Sequence, residues 1–271
     1  MEEFLNKRKS RLVAVSLLII LSVVVIFAGS RLYSQYREQV IRTEESQLLT
    51  MAGIVGNNLN SYMEQQLEEI DLFYSQEGMP ENVWAEYGGI NARTAYFLKE
   101  NVGVYNWITV TEPDGTKFRY EPGKKTFQES ADGEVKAVDP QDGNHPAEIT
   151  GKEISDQTGW YELYIEKNVP VGSEVYMLTF AMDLGALYEK IVAPVKIGEA
   201  GYSSVKDQNM NIIMHHVKNQ IGLEAVDGRI ERYPYLDMSS LNAWIMRQEN
   251  EDSGTGVIDT YVWDDPELKR V

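Results

Sequence analysis

The sequence predicts an α+β protein in which a transmembrane helix and a long helical stalk precede two antiparallel-sheet modules, the second truncated. Three observations predict it. Leu12 to Ala28 is an unbroken apolar run whose only polar side chains are Ser16 and Ser22. An apolar period of three to four residues then persists to about Tyr74, and from Tyr105 the period changes to two.

The apolar run, as a helix rising ~1.5 Å per residue, reaches about 26 Å, close to the roughly 30 Å of a hydrocarbon core. Lys7, Arg8, Lys9 and Arg11 precede it, and Arg31, Arg37 and Arg42 follow more thinly. This bias places the N-terminus in the cytoplasm and the remainder outside. A cleaved secretory signal is the competing reading, with Ala28 and Ser30 as small residues for the cut. The run exceeds a usual signal core of ~7–15 residues and continues into a helical pattern, so an uncleaved anchor fits better.

The stalk follows Leu48, Ala52, Val55, Leu59, Tyr62, Met63, Leu67, Ile70 and Tyr74. Its distal half reads as core of its own domain. Nearer the membrane, Leu48, Val55 and Leu59 have no predicted cover, which predicts a homodimer along the stalk. Gly78, Met79 and Pro80 stop the helix, and shorter helical pieces occupy 81–101, interrupted at Gly88 and Gly89.

Tyr105 to Glu112 and Thr116 to Tyr120 alternate around Pro113-Asp114-Gly115, a hairpin signal. Residues 121–157 carry nine acidic and four basic side chains with four Gly and three Pro, which reads as a surface loop. Trp160 to Asn168 and Glu174 to Met182 form the next strand pair, apolar on parts of both faces. Asp183 then stands where a helix from Leu184 to Val192 needs its N-cap. Further on, Gly201 to Asp207 and Asn211 to His216 read as a hairpin, Asp237 opens a helix through Leu241, Trp244, Ile245 and Gln248, and Thr255 to Trp263 reads as a strand. The divisions are 1–11 for the cytoplasmic N-terminus, 12–30 for the span, 31–78 for the stalk, 79–193 for the first module and 194–271 for the second. A second sheet so poorly closed suggests a fragment of a longer protein.

Beyond residue 42, 18 Lys and Arg stand against 39 Asp and Glu. Such an excess repels phosphate backbones, so nucleic acid is not an expected partner. Cysteine is absent, which excludes a disulfide framework and a thiolate nucleophile. No zinc-protease pair, nucleophile elbow or phosphate-binding Gly loop occurs, so neither catalysis nor a cofactor is expected. His215 and His216 are adjacent, and strand alternation would point them to opposite faces, away from a shared metal ion. Asp207, Asn209 and Asn211 mimic the start of a calcium loop, but Ile212 and Lys218 replace its glycine and its bidentate glutamate; a polar hairpin turn explains them.

Residues 197–222, IGEAGYSSVKDQNMNIIMHHVKNQIG, resemble the opening of a Cache domain, the PAS-like extracytoplasmic sensor module, with a Gly-x-x-Gly-Tyr entry, an Asp-turn hairpin, a His ending the second strand, and Ile-Gly. Residues 168–191, NVPVGSEVYMLTFAMDLGALYEKI, resemble the last two strands and exit helix of the membrane-distal half of a double Cache. The order of anchor, long helix, distal module and proximal module is similar to that family over residues 12–271. The resemblance implies a bacterial membrane receptor whose distal module binds a small molecule, with a histidine kinase, diguanylate cyclase or chemotaxis output. In amino-acid-sensing members an Arg-x-Trp-Tyr stretch grips the carboxylate and an Asp ending the last distal strand takes the amine. Asp183 matches that Asp and Trp160-Tyr161 the aromatic pair, but Thr158 and Gly159 stand where the Arg belongs. The expected ligand-binding residues are Trp107, Arg119, Tyr120, Trp160, Tyr164, Tyr176 and Asp183; ordinary core serves equally for Trp107, Tyr164 and Tyr176. A buried carboxylate lacking an opposed Arg favours an amine or neutral polar ligand. A membrane-anchored binding or structural protein without output is the alternative.

Overall fold

The computed structural model describes residues 2–75, 89–128, 145–196 and 201–271, with side chains from residue 17 onward. The expected stop at Gly78, Met79 and Pro80, the pieces over 81–88, the middle of the acidic loop and the Gly198 entry lie outside these residues.

The first helix, α1, runs from Glu2 to Tyr74. Its apolar part reaches a mean hydropathy of 2.1, so it is long and apolar enough to cross a membrane. The side chains from Leu17 to Phe27 have no protein cover, as a lipid-facing segment requires. Residues 52–271 form a separate compact unit. Within it the stripe on α1 is covered by its own domain, with Val55, Ile70 and Tyr74 buried and Leu59, Tyr62, Met63 and Leu67 packed against them. Val55 is thus buried and Leu59 partly buried within this unit, contrary to the expectation that they lack cover, while Leu48 is exposed.

After α2 (Gly89–Glu100) comes a six-stranded antiparallel sheet of β1 (Tyr105–Thr111), β2 (Lys117–Glu121), β3 (Lys124–Gln128), β4 (Glu148–Ile154), β5 (Tyr161–Val171) and β6 (Glu174–Asp183). The spatial order is β3-β2-β1-β6-β5-β4. The β1–β2 turn is the expected one. Gly115 takes a φ of 87° and donates its N–H to Glu112 O at 2.8 Å, while Asp114 Oδ1 accepts the Thr116 N–H; a three-residue loop needs that left-handed position. The acidic loop is corrected at both ends, since it contributes β3, which pairs with β2, and β4, which pairs with β5.

One face of the sheet packs on α1 and α2. Tyr74, Phe97, Tyr105 and Phe180 meet there at centroid separations of 5.6 to 5.9 Å, in tilted and edge-on pairs. Lys167 on β5 is 4 % exposed and pairs with Asp71 of α1 at 2.8 Å; the same Asp71 oxygen accepts the Ala147 N–H. The chain leaves β6 through α3 (Leu184–Leu187), continued by a widened π turn over Tyr188–Val192. Gly185 permits this close exit, because a Cβ there would lie 2.7 Å from the Trp160 ring.

The C-terminal portion has a two-stranded sheet, β7 (Val205–Lys206) and β8 (Ile212–Met214), then α4 (Asp227–Arg232) and α5 (Ser239–Asn250). The strands are shorter than expected and α4 was not anticipated. Thr255 to Trp263 is not a strand; Thr260 and Val262 pair with Val271 and Lys269 around the single bridge Tyr261–Arg270. A second core gathers Ile212, Ala225, Val226, Met238, Leu241, Ile245, Tyr261 and Trp263. Asp207 closes the β7–β8 turn by accepting the Asn209 and Asn211 N–H groups, as a polar hairpin turn should. Its other oxygen meets Lys152 of β4 at 2.9 Å.

Candidate functional site

The sheet face away from α1 carries the polar and aromatic side chains that the core does not use. Cross-strand register puts Trp107, Ala181, Tyr164 and Gly151 in one row, and Asp183, Glu162 and Glu153 in the next. A bulge in β1 between Tyr105 and Trp107 breaks the alternation. Asn106 and Trp107, neighbours in sequence, consequently reach the same carboxylate. Glu162 accepts from Asn106 Nδ2 at 2.8 Å and from the Trp107 indole N–H at 3.0 Å, and it is only 6 % exposed.

Trp107 is the centre of the cluster. The Arg119 guanidinium lies 4.3 Å from its ring centre and the Tyr164 ring 5.6 Å away. Arg119 Nε stands 3.0 Å from Glu121 Oε1 in an ion pair that is not aligned as a hydrogen bond. Tyr164 donates its hydroxyl to Glu153 Oε2 at 2.9 Å. Burial, followed by the charges of Glu153 and Glu162 against the opposing Arg119, pushes the Tyr164 phenol up to about 12. Glu121, Glu153, Glu162 and Asp183 lie on the side of these two π faces, with Arg119 and, at Glu121, Lys124 as cations, an acceptor-rich surface suited to a donor-rich ligand.

The seven expected residues divide. Trp107, Arg119 and Tyr164 come together here, and Asp183, the register partner of Glu162, faces the same side. Asp183 is also the N-cap of α3, its Oδ1 accepting the Gly185 N–H at 2.8 Å. Tyr120, Trp160 and Tyr176 lie elsewhere. Tyr120 points to the helix face, donates to Asn91 Oδ1 and lines a cleft of about 740 Å³ between α2 and the β2–β3 hairpin. Trp160 is packed on Gly185 and Tyr188, where its bulk fills the exit turn. Tyr176 lies against the helix-side core, with its hydroxyl toward Glu174 of its own strand. Glu162 and Asn106 were missed: the bulge that turns both Asn106 and Trp107 toward Glu162 leaves no mark in composition or period.

His215 and His216 are also corrected. The strand ends at Met214, so alternation no longer separates them, and their rings stack 4.7 Å apart.

A long apolar helix leading into an antiparallel sheet with helices on one face is a fold that solved structures share. The extracellular domain of a protein assigned as a histidine kinase, vpHK1S-Z8, superposes with a TM-score of 0.55 at 13 % identity, over 81 % of this chain and 85 % of that one. A domain of a Vibrio parahaemolyticus protein assigned to the sensory box/GGDEF family superposes at 0.51 and 12 % identity, over 82 % of this chain and 88 % of that one. No protein-family model and no curated protein matches the sequence.

Proposed function

We propose that this chain is the extracytoplasmic sensing portion of a bacterial membrane receptor, and that it binds a small amine or neutral polar molecule on the sheet face around Trp107. It acts as a binding module and carries no catalysis of its own. The observation that carries the reading is the buried Glu162 holding Trp107 and Asn106 on the face that the helices leave free. The fold it shares with the extracellular domain of a protein assigned as a histidine kinase supports the sensory role, and the span-length apolar helix supports membrane attachment. Asp183 Oδ2, which makes no hydrogen bond among the described residues, offers an acceptor beside the aromatic pair.

The test is a thermal-shift screen of the full chain in nanodiscs with primary amines, among them ethanolamine and putrescine, set against organic acids. An amine should raise the melting temperature, and Glu162→Gln should abolish the response by releasing Trp107. Asp183→Ala should weaken the response and cost about 1 kcal/mol of stability through the lost cap. A carboxylate ligand whose effect survives Glu162→Gln would remove this site.

A further inference from the structure

The C-terminal module holds a guanidinium without a counter-ion. Arg229, on α4, is 5 % exposed, and no carboxylate pairs with it among the described residues. The acid whose charge it feels most, Glu224, accepts the Val226 and Asp227 N–H groups instead. An uncompensated buried charge is costly, the more so to explain in a chain whose net charge is −17.

The guanidinium is nevertheless firmly held. Nε donates to Gln220 Oε1 at 2.9 Å and Nη1 to Ala225 O at 3.4 Å, while the Trp263 ring centre lies 4.3 Å beneath. Gln220 is itself fully buried and fixed by donating to Asn219 and to the Tyr233 hydroxyl. Nη2 makes no hydrogen bond among the described residues and is not fully occluded, so this end of the fork keeps a donor edge free. Besides Glu224, the groups within its field are the Tyr202 and Tyr233 phenols, Lys206 and His215. Burial and Arg229 together pull Lys206 down to about 8.

We infer that Arg229 anchors a second ligand site, in the C-terminal module, for a small monocarboxylate received on the open Nη2 edge of the guanidinium. Two N–H groups on one edge match the two oxygens of a carboxylate. Lys206 adds positive charge and Glu224 offsets it, so a monoanion suits the site better than a dianion. This site is separate from the Trp107 face, and its test does not depend on that reading.

The probe is sodium acetate, titrated at constant ionic strength against sodium chloride and inorganic phosphate, on the full chain in nanodiscs. Acetate should raise the melting temperature saturably and by more than phosphate. Arg229→Gln should abolish the shift. Gln220→Glu, which gives Arg229 an internal carboxylate, should fold with a higher basal melting temperature and no longer respond to acetate. No saturable shift in the wild type, a larger one with phosphate, or an unchanged response in Gln220→Glu would each overturn the proposal.

Discussion

His215 shows how a single side chain sets a pH dependence. It is 1 % exposed, and its Nδ1 accepts the Val217 N–H at 3.0 Å, which fixes the neutral tautomer. Burial first, then the charges of His216, Arg229 and Lys206, depress its imidazole from 6.5 to about 3. Below 6.5 the unfolded chain takes up a proton that the folded chain refuses. Stability should therefore fall as the pH drops from 6.5 toward 3, at a slope approaching about 1.4 kcal/mol per pH unit from this group. Urea melts at pH 7 and pH 5 check it: His215→Asn, which keeps an acceptor and cannot charge, should lose less between the two than the wild type. At this scale the sequence was partly legible. Asp183 was found by its position before a helix, where it serves as the cap. Glu162 sits in an ordinary Trp-Tyr-Glu-Leu-Tyr stretch, and only the distant β1 bulge gives it partners.

Elements were legible where they bury one face. β1, β2, β5 and β6 read correctly from their alternation because helices cover that side. β3 and β4 were lost in the acidic loop because they are the two edges of the sheet, where charges replace the apolar alternation and discourage pairing with other chains. Thr255 to Trp263 failed in the opposite way: its alternation reflects Tyr261 and Trp263 packing into the second core, with pairing limited to one bridge. The packing of α1 on β5 gives a further prediction. Asp71→Ala removes the carboxylate that meets the buried Lys167 ammonium and leaves His145 O to accept from it, at a cost on the order of 2 kcal/mol. Adding Lys167→Met should recover most of it, and chemical denaturation of both variants measures the difference.

Across the compact unit of residues 52–271, the Lys152–Asp207 ion pair at 2.9 Å ties the sheet that carries the first hydrophobic cluster to the β7–β8 turn beside the second. Burial alone would raise the Asp207 carboxyl, but Lys152, Asn211 and the Asn209 N–H outweigh it and hold it down to about 2. Lys152→Ala should cost about 1.5–3 kcal/mol and make urea unfolding less cooperative, with tryptophan fluorescence and circular dichroism no longer coincident. Coincident curves would show that the two cores are bound by apolar packing alone. No property of the local sequence marks Lys152 and Asp207 as partners; the link exists only once β4 and the β7–β8 turn have both folded. Its placement has a mechanical side. β4 is an edge strand, hydrogen-bonded on one flank only. On it, Lys152 and Glu153 are consecutive, one gripping the Asp207 turn and the other the Tyr164 hydroxyl. One peptide bond of an edge strand thus separates the side chain that ties down the Asp207 turn from the one that receives the Tyr164 hydroxyl.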